Sequence, residues 1–440
     1  MIHLLENAFD KQGQGYGNNF NYLPSNSTKI RKIKPSEIDD KVPFILPISC
    51  GGLHLYLDVQ DGGLVGKKTF LYYLDEKIIN LIRHHNGYIL INYIHEGHVQ
   101  HHNYKELHNE LRKYQIPANK VFFISSNLNG KKQYNNFCNK MSSLTKQKLN
   151  IIEVNHMLES SVDIYKQVIN KSYNRQIDKL LPYKQSFVTQ DDLEFMKDTL
   201  REKYFLSYNR VIREYRLALI SMIYDMNLNK KGIISLGAEK VDKEFGGVWP
   251  HKISEFIRNP KQNKIVSDAL MKIKPLYPID ADGDVDANWI YKDGEKMSGV
   301  VGQWTNFSKQ YKRVYFNIVT ESSYYEDCIY MSEKTFKPIS NLVPFIIVSN
   351  PFFLKKLRQL GYKTFHPWID ESYDEETDND KRFFMILDEI KKLCEMTKKE
   401  IHDWYYDMKH ILLHNQNHFS SYQKQDTNNI WNEIKKVIDG

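Results

Sequence analysis

Apolar residues along this chain fall into short continuous runs separated by amphipathic stretches, the pattern of buried parallel strands alternating with helices. Residues 42–48 (VPFILPI), 53–59 (LHLYLDV), 88–94 (YILINYI) and 120–126 (KVFFISS) each predict a strand, and 146–156 (KQKLNIIEVNH) predicts a shorter one. Between the third and fourth runs, Leu107, Leu111 and Ile116 recur near helical spacing, and Pro117 and Asn119 punctuate the chain before the next strand. The alternation predicts an α/β, Rossmann-like domain over residues 41–185. Residues 1–40, polar and rich in Gly, Asn and Ser, predict an irregular arm.

Beyond a polar segment at 171–200 a second series begins. Residues 203–209 (KYFLSYN) predict a strand that enters the helical pattern REYRLALISMIYDM, and 232–237 (GIISLG) predict another strand. Residues 241–310, rich in Asp, Gly and Trp, predict a loop-rich insertion. From Tyr315 to Pro351 the chain reads YFNIVTESSYYEDCIYMSEKTFKPISNLVPFIIVSNP, two strand runs bracketing Glu321, Glu326, Asp327, Glu333 and Lys334. That is a βαβ unit, followed by a helix at FLKKLRQLGY, a last short strand at KTFHPW, and amphipathic helices over 379–438. The expected architecture is α/β with two Rossmann-like domains facing a cleft. The second domain spans 200–395, and helices over 396–440 cross back to the first.

Composition changes this picture little. Hydrophobic residues at 41% and aromatics at 13% supply material for packed cores, and 440 residues allow two domains. Heavy use of Tyr (29 residues) with Lys, Asn and Ile fits an AT-rich genome. A net charge of +7 with a pI near 8.8 is mild over this length; it permits a nucleic-acid partner without requiring one. Cys50, Cys138, Cys328 and Cys394 lie far apart without a CxxC, which fits neither a zinc site nor a disulfide framework and points to a reducing cytoplasm. The first residues do not read as a signal peptide, and no run reaches the roughly 20 apolar residues of a membrane span.

The chemistry concentrates in the Tyr315–Pro351 stretch. Its loop and helix start lie where parallel sheets bind ligands, at the carboxyl ends of the strands. Ser332 is placed to cap a helix whose free N–H groups and dipole favour a phosphate. Lys334 adds a positive charge, Glu333 is suited to a ribose diol, and Tyr324 and Tyr325 are placed to wall a base. A general base for a hydroxyl acceptor is expected at Glu96, just past a buried strand, with His95, His98, Asp58 and Asp61 as rivals. His95, His98, His101 and His102 lack an HExxH pattern, and Asp280–Asp286 departs from an EF-hand loop, since Gly283 falls fourth rather than sixth. No metal cofactor is therefore expected, although an ion at the Asp run stays open. Residues 62–68 (GGLVGKK) lack P-loop spacing and predict a glycine turn between strand and helix. Trp249, Trp289 and Trp304 are available to stack on rings or to pack.

The Met331-Ser332-Glu333-Lys334 segment and its flanking strands resemble the donor-binding motif of the α1,3-fucosyltransferase family, and also the Ser-Glu-Lys segment of exostosin-like transferases. Thr320-Glu321-Ser322 stands where the fucosyltransferases have Phe-Glu-Asn. Ser322 departs from that Asn, so the sugar is not fixed as fucose. YFLSYNRVIREYRLALI is similar to the family segment that supplies a phosphate-binding Arg, which places that role on Arg216, with Arg213 one turn earlier. The resemblance implies the paired-Rossmann arrangement called GT-B and an inverting, metal-independent transferase that uses a nucleoside-diphosphate sugar. Arg216 and Lys334, the expected catalytic cations, would contact the diphosphate, with Arg213 and the Ser332 helix start beside them, Glu333 would hold the ribose, Glu321 the sugar or its loop, and Tyr325 the base. The acceptor would be a glycan, a protein or a modified base in DNA, in a bacterial, phage or giant-virus setting. The alternative from another class is a non-catalytic nucleotide- or nucleic-acid-binding protein on the same fold.

Overall fold

The computed structural model describes residues 2–6, 30–49, 56–61, 64–93, 101–171, 186–209, 213–236, 256–273, 276, 279, 306, 308–325, 327–422 and 426–440. The chain divides into two compact units. One comprises Met1–His156, Asp327–Tyr330 and Gln423–Gly440, and the other Met157–Glu326 and Met331–Tyr422. The expected α/β class holds, with an all-parallel main sheet in each unit.

In the first unit the strands are β1 (Ile2–Leu5), β2 (Ile30–Ile33), β3 (Phe44–Ser49), β4 (Tyr56–Asp61), β5 (Leu64–Thr69), β6 (Gly87–Tyr93), β7 (Val121–Ser125) and β8 (Asn150–Glu153). Six of them form one sheet in the order β2-β1-β3-β6-β7-β8. Phe44, Leu46, Ile89, Ile91, Val121 and Phe123 point to one face, where they meet Ile78 and Ile82 of the Glu76–His84 helix, Leu107 and Leu111 of the His101–Lys113 helix, and Phe137 of the Gly130–Lys140 helix. The intervening Ile45, Leu90, Phe122 and Ile124 point to the other, under Ile430, Trp431 and Ile434 of the Asp426–Ile438 helix. Both faces are buried, so the strands read as unbroken apolar runs rather than alternating ones.

Three sequence expectations need correction in this unit. The arm at 1–40 contributes β1 and β2 to the main sheet; each is four residues long and lies toward one edge, too short to stand out against polar surroundings. The run at 53–59 supplies β4, which pairs antiparallel with β5 in a separate two-stranded ribbon. Gly66, Lys67 and Lys68 therefore lie within a strand, opposite Val59, Asp58 and Leu57, and not in a turn before a helix.

The second unit holds β9 (Phe205–Ser207), β10 (Gly232–Ile234), β11 (Phe316–Thr320) and β12 (Phe345–Val348) in the order β10-β9-β11-β12. Gly232 must be small, because a Cβ there would lie 2.3 Å from the Phe205 ring. The Glu214–Asp225 helix is buried continuously from Tyr215 to Ile223, with the Pro260–Ile273 helix packed against it. Arg201, 5% exposed, donates from Nη1 to the Tyr311 and Val314 carbonyls and lies 3.9 Å from the Tyr405 ring centroid. The strand expected at KTFHPW is absent. There the Asn415 side chain takes up the Lys363 N–H and carbonyl, both at 2.8 Å, in place of a neighbouring strand. No described helix is long and apolar enough to cross a membrane.

Candidate functional site

The carboxyl edge of the second sheet is set by Asn209, a fully buried amide. Its Oδ1 accepts from Thr320 Oγ1 at 2.7 Å, and its Nδ2 donates to Ser207 Oγ at 3.1 Å and to the Ser235 carbonyl at 3.2 Å. Its own N–H reaches Ser235 Oγ at 3.1 Å. One side chain thus ties together the ends of β9, β10 and β11, and a satisfied buried amide of this kind fixes local geometry.

From that edge the chain enters Glu321, which is 0% exposed. Its Oε1 accepts from the Ser332 N–H at 3.1 Å and from Thr335 Oγ1. Its Oε2 is buried with no hydrogen-bond partner among the described residues. Burial raises its pKa above the usual carboxylate value, and Lys334, Ser332 and Thr335 offset this only in part. A carboxyl of this kind binds its proton more tightly when folded than unfolded. Its contribution to stability therefore falls as pH rises above the ordinary 4.5, and levels off above the folded-state pKa. Glu321→Gln removes that dependence. Across a melting series from about pH 4 to about pH 8, the variant's melting temperature minus the wild type's is expected to rise and then plateau. A difference that is flat or shrinking would overturn this assignment.

Ser332 caps the Glu333–Ser340 helix as the sequence implied, its Oγ accepting from the Lys334 N–H at 3.2 Å. The Lys334 ammonium lies 3.3 Å from Ser332 Oγ and 3.2 Å from Glu333 Oε1, with its side chain 25% exposed. Burial resists ionisation of Glu333, but Lys334 and Lys337 overcome it and lower its pKa. Two buried carboxyls in one motif are thus driven in opposite directions, Glu333 toward the anion and Glu321 toward the acid.

Arg213 and Arg216 approach the same turn from the first turn of the Glu214–Asp225 helix. Arg213 is the N-cap residue and its Nη1 donates to the Ser322 carbonyl. Arg216, 2% exposed, donates from Nη2 to the carbonyls of Thr320 at 3.0 Å and Glu321 at 2.9 Å. Tyr215, unremarked in the sequence, donates its hydroxyl to the Glu321 carbonyl. Backbone carbonyls gathered over a helix start hold two guanidinium groups where the helix dipole alone would repel them.

Of the paired tyrosines, Tyr324 is fully buried, stacked on Tyr215 at 5.4 Å, whereas Tyr325 is 42% exposed beside Phe256. Arg382 fastens this region from the Asn379–Glu395 helix. It is 1% exposed and donates to the carbonyls of Ser349 (3.2 Å), Glu376 (2.9 Å) and Tyr324 (2.7 Å) and to Asn379 Oδ1 (2.7 Å). Asn209, Thr335 and Arg382 were not singled out from the sequence; each acts on partners far away along the chain. The structure therefore brings Arg213, Arg216, Glu321, Ser332, Glu333 and Lys334 together in one unit. Glu96, His95, His98, Asp280–Asp286, Trp249, Trp289 and Trp304 lie outside the described residues. Comparison with protein-family models and with curated protein sequences yields no match.

Proposed function

We propose that this chain is an inverting, metal-independent glycosyltransferase that draws on a nucleoside-diphosphate sugar. The observation that carries the reading is the Glu321–Ser332–Thr335 cluster: a buried carboxyl with one orphan oxygen beside a capped helix start that bears Lys334. A buried polar atom without a partner is costly, and the cost is recovered where a ligand supplies the partner. A helix N-terminus with an ammonium group beside it favours a diphosphate.

In this reading Lys334, at the helix start capped by Ser332, holds the diphosphate, with the charges of Arg213 and Arg216 behind it. Glu333, kept anionic, accepts from the ribose hydroxyls, and the orphan Oε2 of Glu321 meets a polar group of the sugar or of the turn beneath it. Tyr325 walls the base. The acceptor hydroxyl attacks the anomeric carbon as its bond to the phosphate oxygen breaks. The nucleoside diphosphate leaves with that electron pair, and a base, for which Glu96 is the candidate, takes the hydroxyl proton. Charge grows on the leaving diphosphate during the step, so fixed cations there lower the barrier. The two units then form the paired GT-B arrangement, with the acceptor, a glycan, protein or DNA base, on the first.

Thermal-shift screening of the full chain against UDP, GDP, dTDP and CMP tests the reading. One nucleoside diphosphate is expected to raise the melting temperature, and its sugar conjugate to be hydrolysed slowly in excess chelator. A shift without hydrolysis of any conjugate would favour the non-catalytic nucleotide-binding alternative, and no shift at all would remove the site.

A further inference from the structure

A groove of about 990 Å³ opens in the second unit, away from the cluster just described. It is lined by the loop after the Phe353–Gln359 helix, by the 3-10 turn Glu371–Glu375, and by His410 and Ile411 of the Lys409–Ser421 helix. Phe365 of that loop packs on Phe345, the first residue of β12, with centroids 4.9 Å apart. Trp404, bonded through Nε1 to the Trp368 carbonyl, packs on Phe316, the first residue of β11. The groove therefore lies toward the amino ends of the strands, whereas Glu321 and Ser332 lie at the carboxyl ends.

Trp368 is half-buried in its wall, between exposed Pro367 and the His410 ring at 5.8 Å. Glu371 is consumed by the structure, accepting from Thr364 Oγ1 and the Phe365 N–H, both at 2.6 Å, and from Arg358 at 3.1 Å. That pairing neutralises Arg358 and leaves Asp370 and Glu375 as the carboxylates on offer. Asp370 is held in place, its Oδ1 accepting from the Ser372 N–H at 3.0 Å and its own N–H donating to Glu389 at 3.2 Å. The same Ser372 bonds hold its pKa below the usual range, so it is an acceptor at neutral pH.

We propose that this groove binds a neutral oligosaccharide, whose C–H face lies on the Trp368 indole and whose hydroxyls bond to Asp370, Glu375 and the His366 and His410 imidazoles. A pyranose ring presents an apolar face and a polar rim, and an indole flanked by fixed acceptors and imidazoles matches both. An anionic ligand would meet Asp370 and Glu375, and an organic ammonium would meet Lys363. The volume lies at the upper end of the range for small-molecule sites, about 300–1,000 Å³, which is room for more than one ring. The proposal does not depend on the transferase reading.

The test uses the full chain with linear tetrasaccharides of glucose, mannose, galactose and N-acetylglucosamine, read by saturation-transfer NMR and calorimetry. At least one is expected to bind, with Trp368→Ala weakening it about tenfold or more and Glu375→Gln about threefold or more. Glu375 is exposed, so its variant keeps the test valid should Trp368→Ala misfold. Nucleotide-induced thermal shifts are expected to stay unchanged in Glu375→Gln. Lack of binding by every tetrasaccharide at about 10 mM, undiminished binding in the folded variants, or binding of choline in place of any sugar would each overturn it.

Discussion

Arg382→Ala is expected to destabilise the second unit by about 4 kcal/mol, one of the largest effects of any single substitution here. The guanidinium is 1% exposed and donates to three main-chain carbonyls from separate segments, those of Tyr324, Ser349 and Glu376. Truncation removes the guanidinium donors from these acceptors, two of them buried, and opens space beneath Tyr324, whose ring centroid lies 4.3 Å from the guanidinium carbon. Lysine does not substitute, because one ammonium cannot span acceptors arranged for a planar fork. Arg382→Lys is therefore expected to recover less than half of the loss. Equilibrium denaturation with urea measures both, with Lys399→Ala on an exposed helix face as a neutral control. A loss below about 1 kcal/mol for Arg382→Ala would show that the brace is dispensable.

The second large effect is on binding. Lys334→Ala is expected to weaken the selected nucleoside diphosphate by about 100-fold or more and to abolish its thermal shift. Lys334 is the better probe of the two cations first associated with the diphosphate. Its ammonium bonds only to Ser332 and Glu333 among described partners, and its side chain is 25% exposed. Arg216→Ala is a less direct test, since Arg216 is buried and supports the Thr320 and Glu321 carbonyls, so its loss is expected to damage the turn itself. Arg216→Lys is the fairer partner experiment. Nucleotide binding by a folded Lys334→Ala protein at wild-type strength would refute the site.

The strands of both main sheets were legible wherever burial on two faces produced unbroken apolar runs, as at 88–94 and 120–126. The Ser332 cap was legible too, because a cap is local: a hydroxyl and an N–H two residues apart. What escaped was non-local. β1 and β2 are only four residues long, too short to signal a strand, and their place was set by pairing with β3 and with each other. The loop at KTFHPW has strand-like composition, yet Asn415, some fifty positions on, takes its hydrogen bonds. Within the candidate site, sequence supplied the charged residues but not their geometry. Nothing in the spacing of Arg213 and Arg216 showed that both would donate to the carbonyls after β11.

Arg201 and Arg382 share a trait whose consequence lies in the solvent rather than in the fold. Each spends its described hydrogen bonds on neutral acceptors, carbonyls in the main and one Asn side chain, instead of on a carboxylate. An exposed ion pair weakens as added salt screens it, whereas a buried guanidinium bonded to carbonyl dipoles is shielded from the counterions that do the screening. The second sheet's surroundings are therefore braced in a way that tolerates wide changes in ionic strength. The phosphate recognition proposed at Lys334, whose side chain is 25% exposed, is then expected to be the salt-sensitive event.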